Sequence, residues 1–280
     1  MSEEQQRMIV KFWGVRGSYT TVRPEALRYG GYTSCVSFEL EGKLLVIDAG
    51  SGFRILGNTL KKDVKDIYIV LTHLHRDHVN GFPFFNPLYE KGRTFHLIDY
   101  ENNGQKWSLL SLLDGINYPM QPDSIVADHY EVSGDSLSYL CEHGFQVSSL
   151  QMNHPGGALG YRVSYNGSSM VHMPDNELDA PNPVTSFDRF VEFCKGADVL
   201  SHDAMYVEED LPEKRGWGHS MLPKVCELAV AAGVKHLVLF HHDPERDDKE
   251  IDQIQSRARF LLEPHGIECT AAYEGLKFVF

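Results

Sequence analysis

Three histidines and an aspartate fall within one short stretch, Thr72-His73-Leu74-His75-Arg76-Asp77-His78-Val79. Along extended backbone, residues two apart point the same way, so His73 and His75 can meet one metal ion from one side. Asp77 and His78 follow as the chain turns toward a helix expected to begin near Val79, and they can face a second ion beside the first. Asp77 also suits the N-cap of that helix. Imidazole nitrogen and carboxylate oxygen are zinc ligands, and a catalytic zinc keeps one position open for water. Manganese and iron accept the same donors. A structural role has no use for four adjacent ligands, whereas isolated histidines such as His96, His129 and His143 read as surface or core residues.

The surrounding elements must hold these groups in place. Ile67 to Leu71 is a short apolar run that reads as a buried strand leading into the histidines. Ile9 to Trp13 reads as a first strand and is followed by the glycine turn Gly14-Val15-Arg16-Gly17-Ser18. A second polar glycine stretch covers residues 28–34. Spacing alone favours two tight loops here; the functional alternative is a loop whose backbone N–H groups and Arg16 face an anionic substrate. Cys35–Leu40 and Lys43–Ile47 form a hairpin signal around Glu41-Gly42 that ends at Asp48. Phe95–Ile98 is expected as an edge strand and Trp107–Leu113 as a short amphipathic helix. Residues 99–135 either shape a wall of the pocket or pack on the sheet.

Gln146–Met152 is expected as a strand ending at Asn153-His154-Pro155-Gly156-Gly157, where His154 at a strand end beside glycines is well placed as a ligand. Leu159–Tyr165 and Ser169–Met173 pair across Asn166-Gly167, a type I′ hairpin signal, and lead to Asp175. A helix over Pro183–Lys195 and a strand over Ala197–Leu200 lead into His202-Asp203. Gly216-Trp217-Gly218-His219-Ser220 precedes a helix over Met221–Ala232. Lys235–Phe240 is a buried strand before His241-His242. Arg246–Leu262 is a charged amphipathic helix, and Phe278–Phe280 a closing strand.

Composition excludes several classes. Hydrophobic residues make up 42% of the 280 and charged residues 23%, as in soluble globular chains. No apolar run approaches the roughly 20 residues that span a bilayer, and the polar start Met1-Ser2-Glu3-Glu4 has no secretory apolar core. The five scattered cysteines form no Cys-x-x-Cys pair and fit free thiols in a reducing cytoplasm. A formal charge of −13 argues against an extended nucleic-acid-binding surface.

His-x-His-x-Asp-His after a β-run resembles the signature of the metallo-β-lactamase fold superfamily, and the resemblance extends along most of the chain. It implies an α/β chain folded as a four-layer αββα sandwich of two mixed β-sheets. Residues 1–8 would be an N-terminal tail and residues 9–280 a single domain. It implies two divalent metal ions, zinc first, with manganese or iron as alternatives. His73, His75 and His154 would hold the first, Asp77, His78 and His241 the second, and Asp175 would bridge them. His242 is the fallback for His241. Asp48 matches an aspartate that sits behind the metals and orients ligands; its alternative is to cap a helix from Phe53.

Phosphodiesterase members of the superfamily open with a similar strand and glycine loop, which implies Arg16 and Ser18 beside the substrate. Ser201-His202-Asp203-Ala204 and Gly218-His219-Ser220 resemble the His-Glu-Ala and Gly-His-Ser elements of tRNA 3′-processing endonucleases and cyclic nucleotide phosphodiesterases, with Asp203 in place of Glu. On that resemblance His202, held by Asp203 or Asp77, protonates a leaving alkoxide. His219 at a helix N-terminus binds phosphate, and Ser220 either joins it or caps the helix. The implied function is a cytoplasmic metal-dependent hydrolase acting on a small phosphodiester such as a cyclic nucleotide, with a hydroxide held between the ions as nucleophile. A homodimer is implied as well, since related phosphodiesterases often pair. The alternatives are a tRNA 3′-processing nuclease, an ester, thioester or lactone hydrolase on the same core, and, from another class, a di-iron redox or oxygen-sensing protein.

Overall fold

Side-chain alternation along the strands builds the layers of this molecule. The computed structural model of the chain describes residues 7–102, 105–210 and 212–280, so most of the expected N-terminal tail lies outside the described residues. Met8 is buried and exchanges backbone hydrogen bonds with Phe280 (3.2 and 2.9 Å). The chain opens with β1 (Ile9–Gly14), β2 (Cys35–Leu40), β3 (Lys43–Ile47), α1 (Ser51–Thr59) and β4 (Asp66–Val70). After the histidine stretch come α2 (Arg76–Val79), β5 (Thr94–Ile98), the small hairpin β6 (Tyr100–Asn102) and β7 (Gln105–Trp107), β8 (Asp128–Val132) and α3 (Ser136–Glu142). The second half supplies β9 (Gln146–Met152), β10 (Ala158–Tyr165), β11 (Ser168–Met173), α4 (Phe187–Cys194) and β12 (Val199–Asp203). It ends with α5 (Leu222–Ala232), β13 (His236–Phe240), α6 (Asp248–Leu262), β14 (Glu268–Ala271) and β15 (Lys277–Val279).

Two mixed sheets result, ordered β15-β1-β2-β3-β4-β5-β8 and β14-β13-β12-β11-β10-β9. Successive side chains on a strand point to opposite faces. In β4, Tyr68 and Val70 face the second sheet, while Ile67 and Ile69 face out toward Phe53 and Leu56 of α1. In β13, Val238 and Phe240 face inward, while Leu237 and Leu239 pack outward with Phe190 of α4, Leu228 of α5 and Ile251 of α6. Both faces of each central strand are therefore covered, which is why they read as continuous apolar runs. The result is the αββα arrangement of helix, sheet, sheet and helix.

The Asn166-Gly167 turn has both residues at positive φ (49° and 84°), as a type I′ turn requires. Several boundaries differ from the expected ones for local reasons. Thr94–Ile98 is an interior strand, because the polar strand β8 (Asp-His-Tyr-Glu-Val) pairs along its outer side. Trp107 belongs to β7, and only Leu109–Leu112 turns as a 3-10 helix, started by Ser108, whose side chain accepts from the Leu110 N–H. The helix after the histidines begins at Arg76 and spans only four residues, with His75 as its N-cap, so Asp77 lies inside it rather than capping it. Asp247 starts α6 through a capping box with Glu250.

Candidate metal centre

The donors come from strand ends. Strands β3 and β4 run parallel, as do β11, β12 and β13, while β9 is antiparallel to β10 and β10 to β11. The carboxyl ends of β9, β11, β12 and β13 therefore lie on one edge, and ligand sites in open α/β sheets form at such ends. The segment after β4 carries His73, His75, Asp77 and His78. The turn after β9 carries His154, the end of β11 leads to Asp175, β12 ends in His202 and Asp203, and His241 follows β13.

Two donor sets converge. One ligand atom from each of His73, His75, His154 and Asp175 lies within 4.8 Å of the others, and the same holds for Asp77, His78 and His241. His73 Nε2 and His154 Nε2 are each 3.8 Å from Asp175 Oδ2, and His154 Nε2 is 3.1 Å from His75 Nδ1. On the other side, His78 Nε2 and His241 Nε2 lie 3.1 and 3.3 Å from Asp175 Oδ1, and 3.2 and 3.3 Å from Asp77 Oδ2. Asp175 thus offers one oxygen to each set. His73 Nε2, His78 Nε2 and Asp175 Oδ1 are buried with no hydrogen-bond partner. Buried polar atoms are nearly always satisfied, so three orphans facing one cluster fit a pair of divalent cations.

Neighbouring groups fix the orientation of several of these donors. Asp48 does not cap α1, which starts at Ser51 with Gly50 as its N-cap and no side-chain cap. Its carboxylate accepts from the Thr72 N–H (2.8 Å), Ser34 Oγ (2.9 Å) and His78 Nδ1 (2.7 Å), which turns His78 Nε2 toward the cluster. Thr72 Oγ1 donates to Asp48 and lies 3.1 Å from His73 Nδ1, steering that ring in the same way. His154 Nδ1 donates to the Gly218 carbonyl (2.9 Å). The buried Glu177 holds that loop by accepting from the Gly216 and Gly218 N–H groups (2.8 and 2.9 Å). Gly218 sits at φ +87°, and a Cβ there would fall 2.3 Å from His154 Nδ1. Nothing in the sequence singled out Glu177 or Thr72 beyond their adjacency to ligand stretches. His241 sits against Gly17, and His242 turns away to donate through Nε2 to the Ala272 carbonyl (2.8 Å).

His219 completes the centre. Its Nδ1 lies 2.7 Å from Asp203 Oδ2, its ring stacks on His241 with centroids 5.0 Å apart, and it clusters with Asp175 and His241. Burial opposes its charge, but Asp203 overcomes this and raises its pKa to about 9. Asp203 Oδ1 accepts from the Met205 N–H, and Asp203 meets His202 through its backbone carbonyl rather than its carboxylate. His202 is fully buried, with Nδ1 donating to the Asp203 carbonyl and Nε2 accepting from Asn176 (3.2 Å). It therefore braces the Asn176 loop and does not face the cluster.

Two other residues expected beside substrate have different surroundings. Arg16 is fully buried, and its guanidinium donates to the carbonyls of Gly30, Asp243 and Arg246. It ties the first glycine loop to the segment after His241. Ser220 is buried, donates to the Asn176 carbonyl and accepts from the Leu178 N–H, so it neither caps α5 nor meets solvent. Ser18 remains at the centre through its backbone, whose N–H donates to Asp77 Oδ2 (2.8 Å). Burial works against the charge on Asp77 and Asp175, but His78 and His241 hold both carboxyl groups well below the usual range. Burial alone would likewise depress His78, yet Asp175, Asp77 and Asp48 raise it.

Residues 44–242 match the model of the beta-lactamase superfamily domain, and the chain belongs to that family. A Streptococcus pneumoniae ribonuclease Z is 26% identical, the match covering 78% of this chain and 85% of that protein. A Porphyromonas gingivalis ribonuclease Z is also 26% identical, over 81% and 87%. Among solved structures, the Bacillus subtilis metallo-beta-lactamase fold protein YhfI superposes with a TM-score of 0.68 at 17% identity, covering 98% of this chain and all of that one. A diphosphatase from the PhnP family gives 0.64 at 20% identity, covering 98% and 97%. These structures share the fold. With its family and hydrolytic relatives established, the chain is a metal-dependent hydrolase.

Proposed function

We propose that this hydrolase is a phosphodiesterase acting on a small phosphodiester such as a cyclic nucleotide, with two zinc ions as its cofactors. The observation that carries the reading is His219, an imidazole that Asp203 holds at 2.7 Å within the cluster formed with Asp175 and His241, with its pKa raised by that carboxylate. His73, His75 and His154 would hold one ion, Asp77, His78 and His241 the other, and Asp175 both. When bound, such a pair lowers the pKa of water and offsets charge on phosphoryl oxygens. The chain's own contribution is a proton. His219 Nε2 donates it to the departing alkoxide oxygen, and Asp203 stabilises the imidazolium and keeps its tautomer. Positioned general acids of this kind contribute about 10²–10⁴-fold. Asp48 and Thr72 keep His78 and His73 aimed at the ions, while Ser18 N–H steadies Asp77. All five cysteines are unpaired, which supports a reducing, cytoplasmic setting.

A second reading, a tRNA 3′-processing nuclease, is supported by the ribonuclease Z relatives. The first test is hydrolysis of bis(p-nitrophenyl) phosphate by zinc-loaded protein beside Asp77→Ala. Turnover that the substitution abolishes supports phosphodiester chemistry, and its absence with zinc, manganese and iron alike rejects it. Parallel assays on cyclic nucleotides and on a tRNA precursor then separate the two readings: turnover of the precursor alone favours the nuclease.

A further inference from the structure

Two clefts touch the candidate metal ligands, and they share the turn Pro155-Gly156-Gly157 as a common wall. That turn is closed by the Gly157 N–H donating to the His154 carbonyl (2.9 Å). One cleft, of about 500 Å³, is lined by His154, Asn153 and Glu177 among others and has no Phe, Tyr or Trp in its wall among the described residues. The other, about 370 Å³, has His73 and His75 in its lining and is closed by Tyr100, Gln105 and Trp107 of the β6–β7 hairpin. Its volume falls in the usual range for small-molecule sites.

The hairpin register explains why these three side chains act together. Tyr100 pairs directly across from Trp107, so both side chains lie on one face. Gln105 precedes Trp107 by two residues and shares that face. Lys106 points the opposite way and pairs with Glu101 at the surface (3.8 Å). Tyr100 is buried, and its hydroxyl donates to the Gly157 carbonyl (3.1 Å), which pins the hairpin to the shared wall. Trp107 keeps 43% of its surface exposed, so an indole face remains open for stacking. Beside it Gln105 offers an amide that can both donate and accept.

The geometry points to this cleft as a subsite for a planar heteroaromatic group, a nucleobase, attached to the phosphate that the metal centre holds. A nucleobase has what the cleft accommodates: a π-face for Trp107 and a donor–acceptor edge for Gln105. A free sugar or an aliphatic ester arm has no π-face. The inference rests on the phosphodiesterase reading of the same centre and goes beyond it by making Trp107 a specificity residue that selects a nucleotide substrate.

The test is equilibrium binding of adenosine 5′-monophosphate and ribose 5-phosphate to zinc-loaded protein by calorimetry, for wild type, Trp107→Ala and Trp107→Phe. Both probes present the same phosphate and only one carries a base. The wild type should bind the nucleotide about tenfold tighter than the sugar phosphate, the scale that stacking on one aromatic side chain supplies. Trp107→Ala should erase this preference by weakening the nucleotide alone, and Trp107→Phe should keep most of it. Equal binding of the two probes by the wild type, or an undiminished preference in a folded Trp107→Ala protein, overturns the subsite. The failures are separable: bis(p-nitrophenyl) phosphate hydrolysis judges the phosphodiesterase reading, and the difference between the probes judges the subsite.

Discussion

A histidine nitrogen 2.7 Å from a fully buried carboxylate keeps its proton at neutral pH, and here that histidine is His219, with its pKa raised to about 9. A proton donor matters most when the leaving group is a poor one. His219→Ala should lower kcat by about 10²-fold on a phosphodiester with an alkoxide leaving group and far less on bis(p-nitrophenyl) phosphate, whose phenolate departs unaided. Equal losses on both substrates would assign His219 to binding instead. Asp48 acts one bond further out. Asp48→Asn puts an amide N–H where His78 Nδ1 needs an acceptor, which favours the tautomer protonated on Nε2 and removes the lone pair that faces the cluster. Affinity of the Asp77, His78 and His241 set for a divalent metal ion should fall by about 10–100-fold, measured by competition with a chromophoric chelator. The donors of the first stretch were legible because His-x-His-x-Asp-His is a short-range pattern. Glu177 was not, because it reaches the centre only through two backbone N–H groups some forty positions along the chain.

At the level of elements, the loop at residues 216–218 is a ligand support made of backbone. The Gly218 carbonyl sets the His154 tautomer, and only glycine fits there, at φ +87° with a Cβ position 2.3 Å from the imidazole. Gly218→Ala should push His154 off its donor position, lowering occupancy of the first metal site while far-UV circular dichroism stays unchanged. A variant that retains both ions per chain by elemental analysis would refute this support role. The strands that carry the centre were readable from sequence: Gln146–Met152 and the hairpin Cys35–Leu40 with Lys43–Ile47 occur with those limits, because apolar runs and turn residues are local signals. Strand β8 was not readable. Its sequence Asp-His-Tyr-Glu-Val lies at a half-exposed sheet edge, so it carries no apolar run, and only pairing with β5 makes it a strand. The roles of Arg16, His202 and Ser220 were hidden for a related reason: each makes at least one hydrogen bond to a group that is distant in sequence, and a motif shows residue type without showing which way the side chain turns.

Across the whole molecule, the two sheets close over a histidine that lies outside both donor sets. His172 on β11 is fully buried, lies 4.8 Å from the Phe240 ring in an edge contact and meets Ser201 Oγ at 3.0 Å. Burial, reinforced by the neighbouring His78, lowers its pKa to about 3, against roughly 6.5 for a histidine in the unfolded chain. The folded state then binds fewer protons than the unfolded state between those values, so stability is full above about pH 6.5 and falls as the pH drops toward 3. One such group contributes a slope of about 1.4 kcal/mol per pH unit. Other buried histidines with lowered pKa, His202 and His242 among them, add to the same acid limb. His172→Leu removes one proton-binding site from this balance whatever it costs in absolute stability. Urea unfolding of the metal-free protein between about pH 5 and pH 7 should therefore show a shallower pH dependence for the variant, by up to about one proton. Parallel curves would mean that His172 takes up its proton inside the fold, and the inter-sheet core would then have to accommodate a charge.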